Sequence, residues 1–339
     1  MPLHLMRIRS LQLAAFLALV PALSWTSAAW AVSCTMQGEM TPANRTLYEQ
    51  AARTLGEDIE AGNAAAVRGN TIAPVAAKFE SIAATIQQVA KKIKSARLTV
   101  DGLYNLNAED IGATPEQAQF FCSVAGSSRI VSITIPQLPR GNYLLAVLHA
   151  TGVSEPQQLT LILQNDPTAS AQWKLAGLFI RPLTLDGHDG VWFWSQARAF
   201  AAKKQDWDAY FYYINAELLL NPVNFISSPN LQKLQKEMQA VKPADLPGEK
   251  PLTLNVKGQS LEITHLRTET FEGGLDLVVD YRAKGVSDPV ATRTQIVDLM
   301  KAMLAQYPEL RVGFHGLWVY AYNNNGQPFA IELPMDQIK

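Results

Sequence analysis

The stretch that decides the fold is residues 157–182, QQLTLILQNDPTASAQWKLAGLFIRP. Residues 159–164 and 173–181 have the length and the branched and aromatic composition of two β-strands, and the polar segment between them predicts a tight turn. We expect the residues before this pair of strands to complete one curved sheet. The residues after it are expected to be appended to that sheet.

The preceding residues predict two helices followed by several strands. Thr41 and Pro42 form a cap and a first turn, and Pro74 suits the start of a second helix whose apolar positions recur every three or four residues. The periodicity then changes to two, which predicts strands over residues 97–101, 120–124, 130–135 and 143–150. This order predicts an α+β fold, with a curved antiparallel sheet wrapped on the helices.

With these elements the chain resembles the NTF2-like (cystatin-like, ketosteroid-isomerase-like) cone over residues 43–183. The resemblance depends on the helix–helix–strand order and on the paired strands LTLILQ and WKLAGLFIRP. It implies a conical pocket between sheet and helices, which some members use for catalysis and many use for binding or assembly. The whole arrangement is similar to that of uncharacterised secreted bacterial proteins.

Residues 188–241 predict a helical hairpin. The alternation of large and small side chains resembles a single tetratricopeptide repeat, and it involves Phe193, Ala197, Phe200, Ala209, Tyr213 and Ala216. One repeat cannot bury its own face, so we expect the hairpin to pack on the NTF2-like domain. Its aromatic residues form either an inter-domain core or an exposed surface for a ligand or partner, for which the candidates are Trp192, Trp194, Trp207 and Tyr210.

Residues 242–251, KPADLPGEKP, have the composition of a linker. Beyond it, residues 252–339 predict a small C-terminal α+β domain. We expect strands over residues 252–256, 261–270 and 275–281, a helix over 291–307, and a hairpin of residues 311–322 and 329–333 around the turn NNNG.

The N-terminus predicts export. Arg7 and Arg9 precede an apolar run over residues 11–23, and Ala29 and Ala31 offer small residues for a signal peptidase. We therefore predict a signal peptide over residues 1–31, cleaved after Ala31, and a periplasmic or secreted protein; a retained membrane anchor is the alternative. No later apolar run is long enough to span a bilayer.

Two cysteines, Cys34 and Cys122, are present, and an oxidising destination permits one disulfide between them. The alternative is lipidation of Cys34, because residues 31–34 (AVSC) loosely resemble a lipobox. Two scattered cysteines are too few for a zinc site. We predict no metal and no cofactor.

The composition and motifs exclude several functions. The net charge of −1 gives no basic excess to attract nucleic acid, and no phosphate loop, HExxH or GxSxG motif is present. His188 and Asp189 offer either a weak calcium loop or, more simply, an Asp189 helix cap.

The catalytic candidates are Asp101, Tyr104 and His149, placed near strand ends where a carboxylate and a hydrogen-bond donor could move a proton beside a carbonyl. We therefore expect a non-catalytic binding protein for an unknown small molecule or envelope protein. The alternatives are a small-molecule isomerase or lyase and a purely structural envelope protein.

Overall fold

A computed structural model describes residues 32–111, 114–123, 126–127, 129–166, 172–323 and 327–339. The predicted signal peptide, the turn between the two deciding strands and residues 324–326 of the predicted NNNG turn lie outside these described residues. Helices and mainly antiparallel strands both contribute to the described part, so the chain is α+β, as predicted.

The described residues of the first part of the chain contain four α-helices and seven strands. The helices are α1 (Pro42–Glu60), α2 (Ala64–Gly69), α3 (Ala73–Ala76) and α4 (Glu80–Ile93). The strands are β1 (Ser33–Met36), β2 (Arg97–Ala108), β3 (Gln117–Ser123), β4 (Ile130–Pro136), β5 (Gly141–Thr151), β6 (Gln157–Asp166) and β7 (Gln172–Pro182). Five of them form the antiparallel first sheet, in the order β1-β2-β5-β6-β7. The prediction that the two deciding strands share a sheet with residues 143–150 is therefore confirmed.

Local sequence accounts for the start of α1 and for a break that was not predicted. The Thr41 hydroxyl accepts from the backbone N–H of Asn44, and Pro42 occupies the first turn. The predicted second helix is instead two helices, α3 and α4. The N–H of Lys78 bonds to the carbonyl of Val75, three residues back, which closes α3 before α4 begins.

The middle of the chain holds three helices and three short strands. They are β8 (Thr184–Leu185), β9 (His188–Asp189), α5 (Gly190–Ala202), α6 (Asp206–Leu220), β10 (Ile226–Ser227) and α7 (Pro229–Ala240). The predicted Asp189 cap is confirmed, since its carboxylate accepts from the N–H of Trp192 at 2.8 Å. The predicted hairpin has a third helix, α7, which starts at a Ser228 cap.

The C-terminal part consists of β11 (Leu252–Val256), β12 (Gln259–Phe271), β13 (Gly274–Arg282), α8 (Pro289–Gln306), α9 (Leu310–Gly313), β14 (Gly316–Tyr322) and β15 (Phe329–Pro334). Its sheet has the order β11-β12-β13-β14-β15, and only the β13–β14 pair is parallel. The strand expected from Arg311 begins at Gly316, because the N–H of Phe314 bonds to the Leu310 carbonyl and closes a helical turn.

The first sheet is covered on both faces. One face packs against α1 and α4 through leucines such as Leu144, Leu148 and Leu161. The other face packs against a smaller sheet of order β10-β4-β3, around Phe120, Tyr143 and Leu145. Alternating residues of β5 and β6 thus enter two different cores, and both strands are mostly buried for that reason.

The helical segment contacts the first part of the chain through β10 with β4 and through α6 with β7, but most of its aromatic residues pack elsewhere. Its aromatic residues share one core with the C-terminal sheet rather than with the first sheet. The rings of Trp207 and Tyr307 lie 4.5 Å apart, and the Tyr212 hydroxyl donates to the Gly313 carbonyl at 2.8 Å. Because α6 is apolar around most of its circumference, it buries one side here and offers the other to the first sheet.

The predicted disulfide is confirmed. Cys34 on β1 is bonded to the fully buried Cys122 on β3. The bond fixes the first strand of the described chain to the smaller sheet. A sulfur that is bonded to Cys122 cannot also carry a lipid, so the lipidation alternative at Cys34 is wrong for this state of the chain. Within the described residues, no helix has the length and apolar character needed to cross a membrane.

Candidate functional site

The candidate site is a cavity of about 400 Å³ between the first sheet, β4 and β10, and helices α5–α7. Most of its wall is aliphatic, and a few polar groups meet at the sheet side, which is the usual composition of a small-molecule pocket. The lining residues used below are Asp101, Tyr104, Val147, Gln158, Val191 and Trp194. Two larger clefts, of about 480 and 780 Å³, are lined mainly by polar surface residues.

A β-bulge places Asp101 at this cavity. The pairing of β2 with β5 shifts between Val100 and Gly102, so Asp101 is the extra residue without a partner on β5. A bulge of this kind redirects side chains, and bulges are common beside functional sites. After the bulge, Leu103 faces the α1–α4 core while Tyr104 faces the cavity.

Three polar side chains of neighbouring strands lie next to one another beside the cavity. Nδ1 of His149 lies 3.8 Å from Oδ1 of Asp101, and Nε2 of His149 lies 3.1 Å from Oε1 of Gln158. His149 and Gln158 are direct cross-strand partners on β5 and β6. The structure therefore brings together two of the predicted catalytic residues, Asp101 and His149, and adds Gln158.

Tyr104, the third catalytic candidate, keeps its hydroxyl proton at neutral pH. Burial raises its pKa above the usual value, and the nearby negative charge of Asp101 raises the pKa further. The Tyr104 hydroxyl is thus available as a hydrogen-bond donor to a molecule in the cavity.

Gln158 supplies an unused hydrogen-bonding group. Gln158 is only 6% exposed. Its Oε1 accepts a hydrogen bond from the Nε2–H group of His149. The amide nitrogen of Gln158, Nε2, has no hydrogen-bond partner within the described chain. A buried amide group without a partner is destabilising by about 1–3 kcal/mol. A bound molecule with an oxygen acceptor would remove that penalty.

Trp194, on α5, forms part of the opposite wall and is held in one orientation by two contacts. Its indole Nε1 donates to Oε2 of Glu237 at 2.7 Å, and the Arg198 guanidinium lies over its ring, 4.4 Å from the centroid. Arg198 also makes two hydrogen bonds to Glu237, of 2.7 and 2.8 Å. The pKa of Glu237 is lowered chiefly by the hydrogen bond from Arg198, so the carboxylate stays charged.

The other aromatic candidates do not form one surface with Trp194. Trp192 stacks on His188, with ring centroids 3.7 Å apart, and lines a separate cleft. Trp207 and Tyr210 are only 5% and 8% exposed and belong to the core shared with the C-terminal sheet. The prediction of Trp207 and Tyr210 as a ligand or partner surface is therefore wrong, because their rings are enclosed.

Sequence reasoning missed Gln158, Glu237 and the α7 wall of the cavity. A signal for Gln158 existed, since Gln158 and Thr160 are polar residues that flank Leu159 at the start of the apolar run of β6. Glu237 carried no such signal, because its partners lie on two other helices.

One group of residues with metal-binding chemistry occurs among the described residues, away from the cavity. It consists of Asp276, His315 and Glu332. Burial raises the pKa of both carboxyl groups above their ordinary values; at Asp276 the hydrogen bond from His315 opposes this effect.

The fold and the cavity together define an α+β protein with an open pocket between its first sheet and helices α5–α7. No family model matches the chain, and neither a curated protein nor a solved structure matches it significantly. The NTF2-like and tetratricopeptide-like resemblances, and the domain boundaries based on them, stay predictions.

Proposed function

We propose that this protein is an extracytoplasmic, non-catalytic binding protein that holds a small, mainly apolar molecule in the cavity between the first sheet and α5–α7. The observation that carries the proposal is the unpaired Nε2 group of Gln158, buried beside an aliphatic cavity of about 400 Å³. Aliphatic walls favour an apolar body, and the polar end of the cavity favours a carbonyl or hydroxyl oxygen.

The polar groups fix the orientation that such a ligand would take. Gln158 and Tyr104 both offer donors from the sheet, whereas Trp194 offers a flat apolar face from the opposite wall. The ligand oxygen would accept from Gln158 and Tyr104, and its hydrocarbon part would lie against Trp194 and Val147. A resemblance to the NTF2-like cone would agree with this use, since many members of that family bind ligands in a pocket against the sheet.

Export is supported by two features. The Cys34–Cys122 disulfide requires an oxidising compartment to form and persist. The sequence of residues 1–31 has the charged, apolar and small-residue regions of a signal peptide. We propose a periplasmic or secreted location on these grounds.

A second candidate function is an isomerase or lyase that uses the same cavity. It is favoured by the 3.8 Å approach of Asp101 to His149 and by the nearby Tyr104 hydroxyl. One observation argues against catalysis. A carboxylate that abstracts a proton is more reactive in a site that excludes water, but the Asp101 side chain is 60% exposed. Binding without catalysis is therefore the stronger proposal.

The test is to identify what the protein carries. The full-length chain is expressed in its own host, purified from the cell envelope, extracted with organic solvent, and the extract is analysed by mass spectrometry. Val191→Trp places a large ring at the rim of the cavity, where the native side chain is 59% exposed and the fold tolerates a change. Val290→Trp is the matched control, since Val290 is 76% exposed on α8 and does not line the cavity.

We expect one molecular species at near-equimolar amount in the wild type and in Val290→Trp, and a loss of at least about tenfold in Val191→Trp, which corresponds to about 1.4 kcal/mol. Equal amounts in all three proteins, or no bound species in the wild type, would contradict the proposal. Turnover of the molecule by the wild type, abolished by Asp101→Asn, would favour the isomerase or lyase instead.

A further inference from the structure

Three strands of the C-terminal sheet bring together a cluster that is separate from the cavity. Asp276 lies on β13, Gly316 begins β14 and Glu332 lies on β15, and His315 directly precedes Gly316. Asp276, His315 and Glu332 can each offer one ligand atom to an ion, and these three atoms lie within 4.8 Å of one another. Nδ1 of His315 lies 3.1 Å from Oδ1 of Asp276.

Gly316 makes this convergence possible. A Cβ atom at this position would lie 2.6 Å from Oε1 of Glu332 and 3.0 Å from Oδ1 of Asp276. Any larger residue on the central strand would therefore force the two carboxylates apart. The missing side chain leaves a gap in the sheet surface over which both carboxylates meet.

Two oxygen atoms of the cluster have no hydrogen-bond partner within the described residues. They are Oδ2 of Asp276, whose side chain is fully buried, and Oε1 of Glu332, which is itself buried although its residue is partly exposed. Carboxylates that are buried side by side are unfavourable unless a positive charge compensates them. The only positively chargeable group among the three residues is the imidazole of His315.

We propose that Asp276, His315 and Glu332 bind a divalent transition-metal ion. This inference is independent of the small-molecule cavity. The ion would sit among Nδ1 of His315 and the facing carboxylate oxygens, and it would supply the partner that Oδ2 of Asp276 and Oε1 of Glu332 lack. Two ligand atoms about 2.1 Å from a tetrahedral ion are separated by roughly 3.4 Å. The three ligand atoms lie within 4.8 Å of one another, so any pair farther apart than that spacing would move closer when an ion binds.

The donor set defines the class of ion. One imidazole with two carboxylates suits Zn²⁺ and its neighbours in the first transition row. Ca²⁺ requires six to eight oxygen ligands and Mg²⁺ is bound through oxygen, so neither is matched by a site in which one of three protein ligands is a nitrogen.

The site is accessible from outside. The His315 side chain is 39% exposed and lines a cleft of about 280 Å³, together with His188, Trp192 and Gly274. In this proposal an ion would enter from the His315 side, and water would complete its coordination from the cleft.

The experiment is a calorimetric titration of the chelator-treated full-length protein with Zn²⁺. His315→Gln and Glu332→Gln each remove one ligand while keeping a similar volume, and circular dichroism checks that both variants fold. His265→Gln is the matched control, because His265 is exposed on β12 of the same sheet and outside the cluster. An arm with Ca²⁺ in about hundredfold excess tests the class of ion.

We expect the wild type and His265→Gln to bind a single Zn²⁺ with equal affinity, and both cluster variants to bind at least about tenfold more weakly. Excess Ca²⁺ should not displace the Zn²⁺. The proposal is overturned by the lack of saturable Zn²⁺ binding in the wild type, by unchanged affinity in both cluster variants, or by displacement with Ca²⁺. If one cluster variant fails to fold, the other still decides the outcome.

Discussion

A buried carboxyl group on α6 should make the protein less stable as the pH rises. Asp208 is fully buried, and neither of its carboxyl oxygens has a hydrogen-bond partner within the described chain. Burial raises its pKa from 3.8 to about 8, and the negative charge of Glu309 adds to this effect. In the folded protein Asp208 is therefore protonated at neutral pH, whereas in the unfolded chain it is ionised.

The sign and size of the effect follow from proton linkage. Between pH 4 and pH 8 the folded state holds one more proton at Asp208 than the unfolded state does, so the free energy of unfolding falls as the pH rises. Each pH unit in this window corresponds to about 1.4 kcal/mol. From pH 4.5 to pH 7.5 the contribution of Asp208 should fall by about 4 kcal/mol, as an upper limit, because local relaxation lets water reach the group.

The perturbation is Asp208→Asn, which keeps the shape and removes the titration. Urea unfolding is measured for both proteins at pH 4.5, 6.0 and 7.5. The variant should gain stability relative to the wild type at each step toward higher pH, even if the buried amide makes it less stable at pH 4.5. Asp206→Asn is the control, because Asp206 lies in the same first turn of α6 but is exposed.

Parallel pH profiles for Asp208→Asn and the wild type would refute the reasoning. They would mean that the Asp208 carboxylate is solvated or paired in the folded protein. If Asp206→Asn changes the pH dependence of the unfolding free energy as much as Asp208→Asn does, the effect comes from charge at the helix N-terminus rather than from burial.

Further predictions concern the disulfide, a tight helix contact and the cavity wall. Reduction of the Cys34–Cys122 bond, which spans 88 residues, should lower the free energy of unfolding by about 4–5 kcal/mol in urea titrations and add two hydrogens to the intact mass. Gly190→Ala should destabilise by about 1–3 kcal/mol in the same assay, because its new Cβ would lie 2.6 Å from a side-chain carbon on α6. Glu237→Ala should reduce the co-purified ligand several-fold, because Trp194 loses its hydrogen bond.

Each of these three predictions has a result that would contradict it. An unchanged mass on reduction would contradict the disulfide, and unchanged stability of Gly190→Ala would mean that α5 and α6 can separate freely. Glu249→Ala, an exposed change in the predicted linker, should leave the amount of ligand unaltered. If Glu237→Ala and Glu249→Ala retain ligand equally, Trp194 does not depend on Glu237.

Local features of the fold could be predicted because they depend on neighbouring residues. Thr41 and Pro42 define the start of α1 by capping alone, and the two strands of residues 157–182 follow from their composition. Cys34 and Cys122 could pair in only one way once export was inferred.

The arrangement of the helical segment and the sites could not be predicted in the same way. Helix α6 is apolar on nearly all sides, so its periodicity does not indicate which sheet it covers. The bulge at Asp101 changes which side chains of β2 face the cavity, and the sequence alone gives no register. Asp276 and Glu332 meet only because Gly316 lies between them on a third strand.

The most direct test of the proposed binding function is a crystal structure of the protein purified from the cell envelope of its own host. We predict density for a small elongated molecule in the cavity, with one oxygen about 2.7–3.2 Å from Nε2 of Gln158 and its apolar part against Trp194. A cavity that contains only ordered water, or one closed by collapse of α7 onto the first sheet, would contradict it.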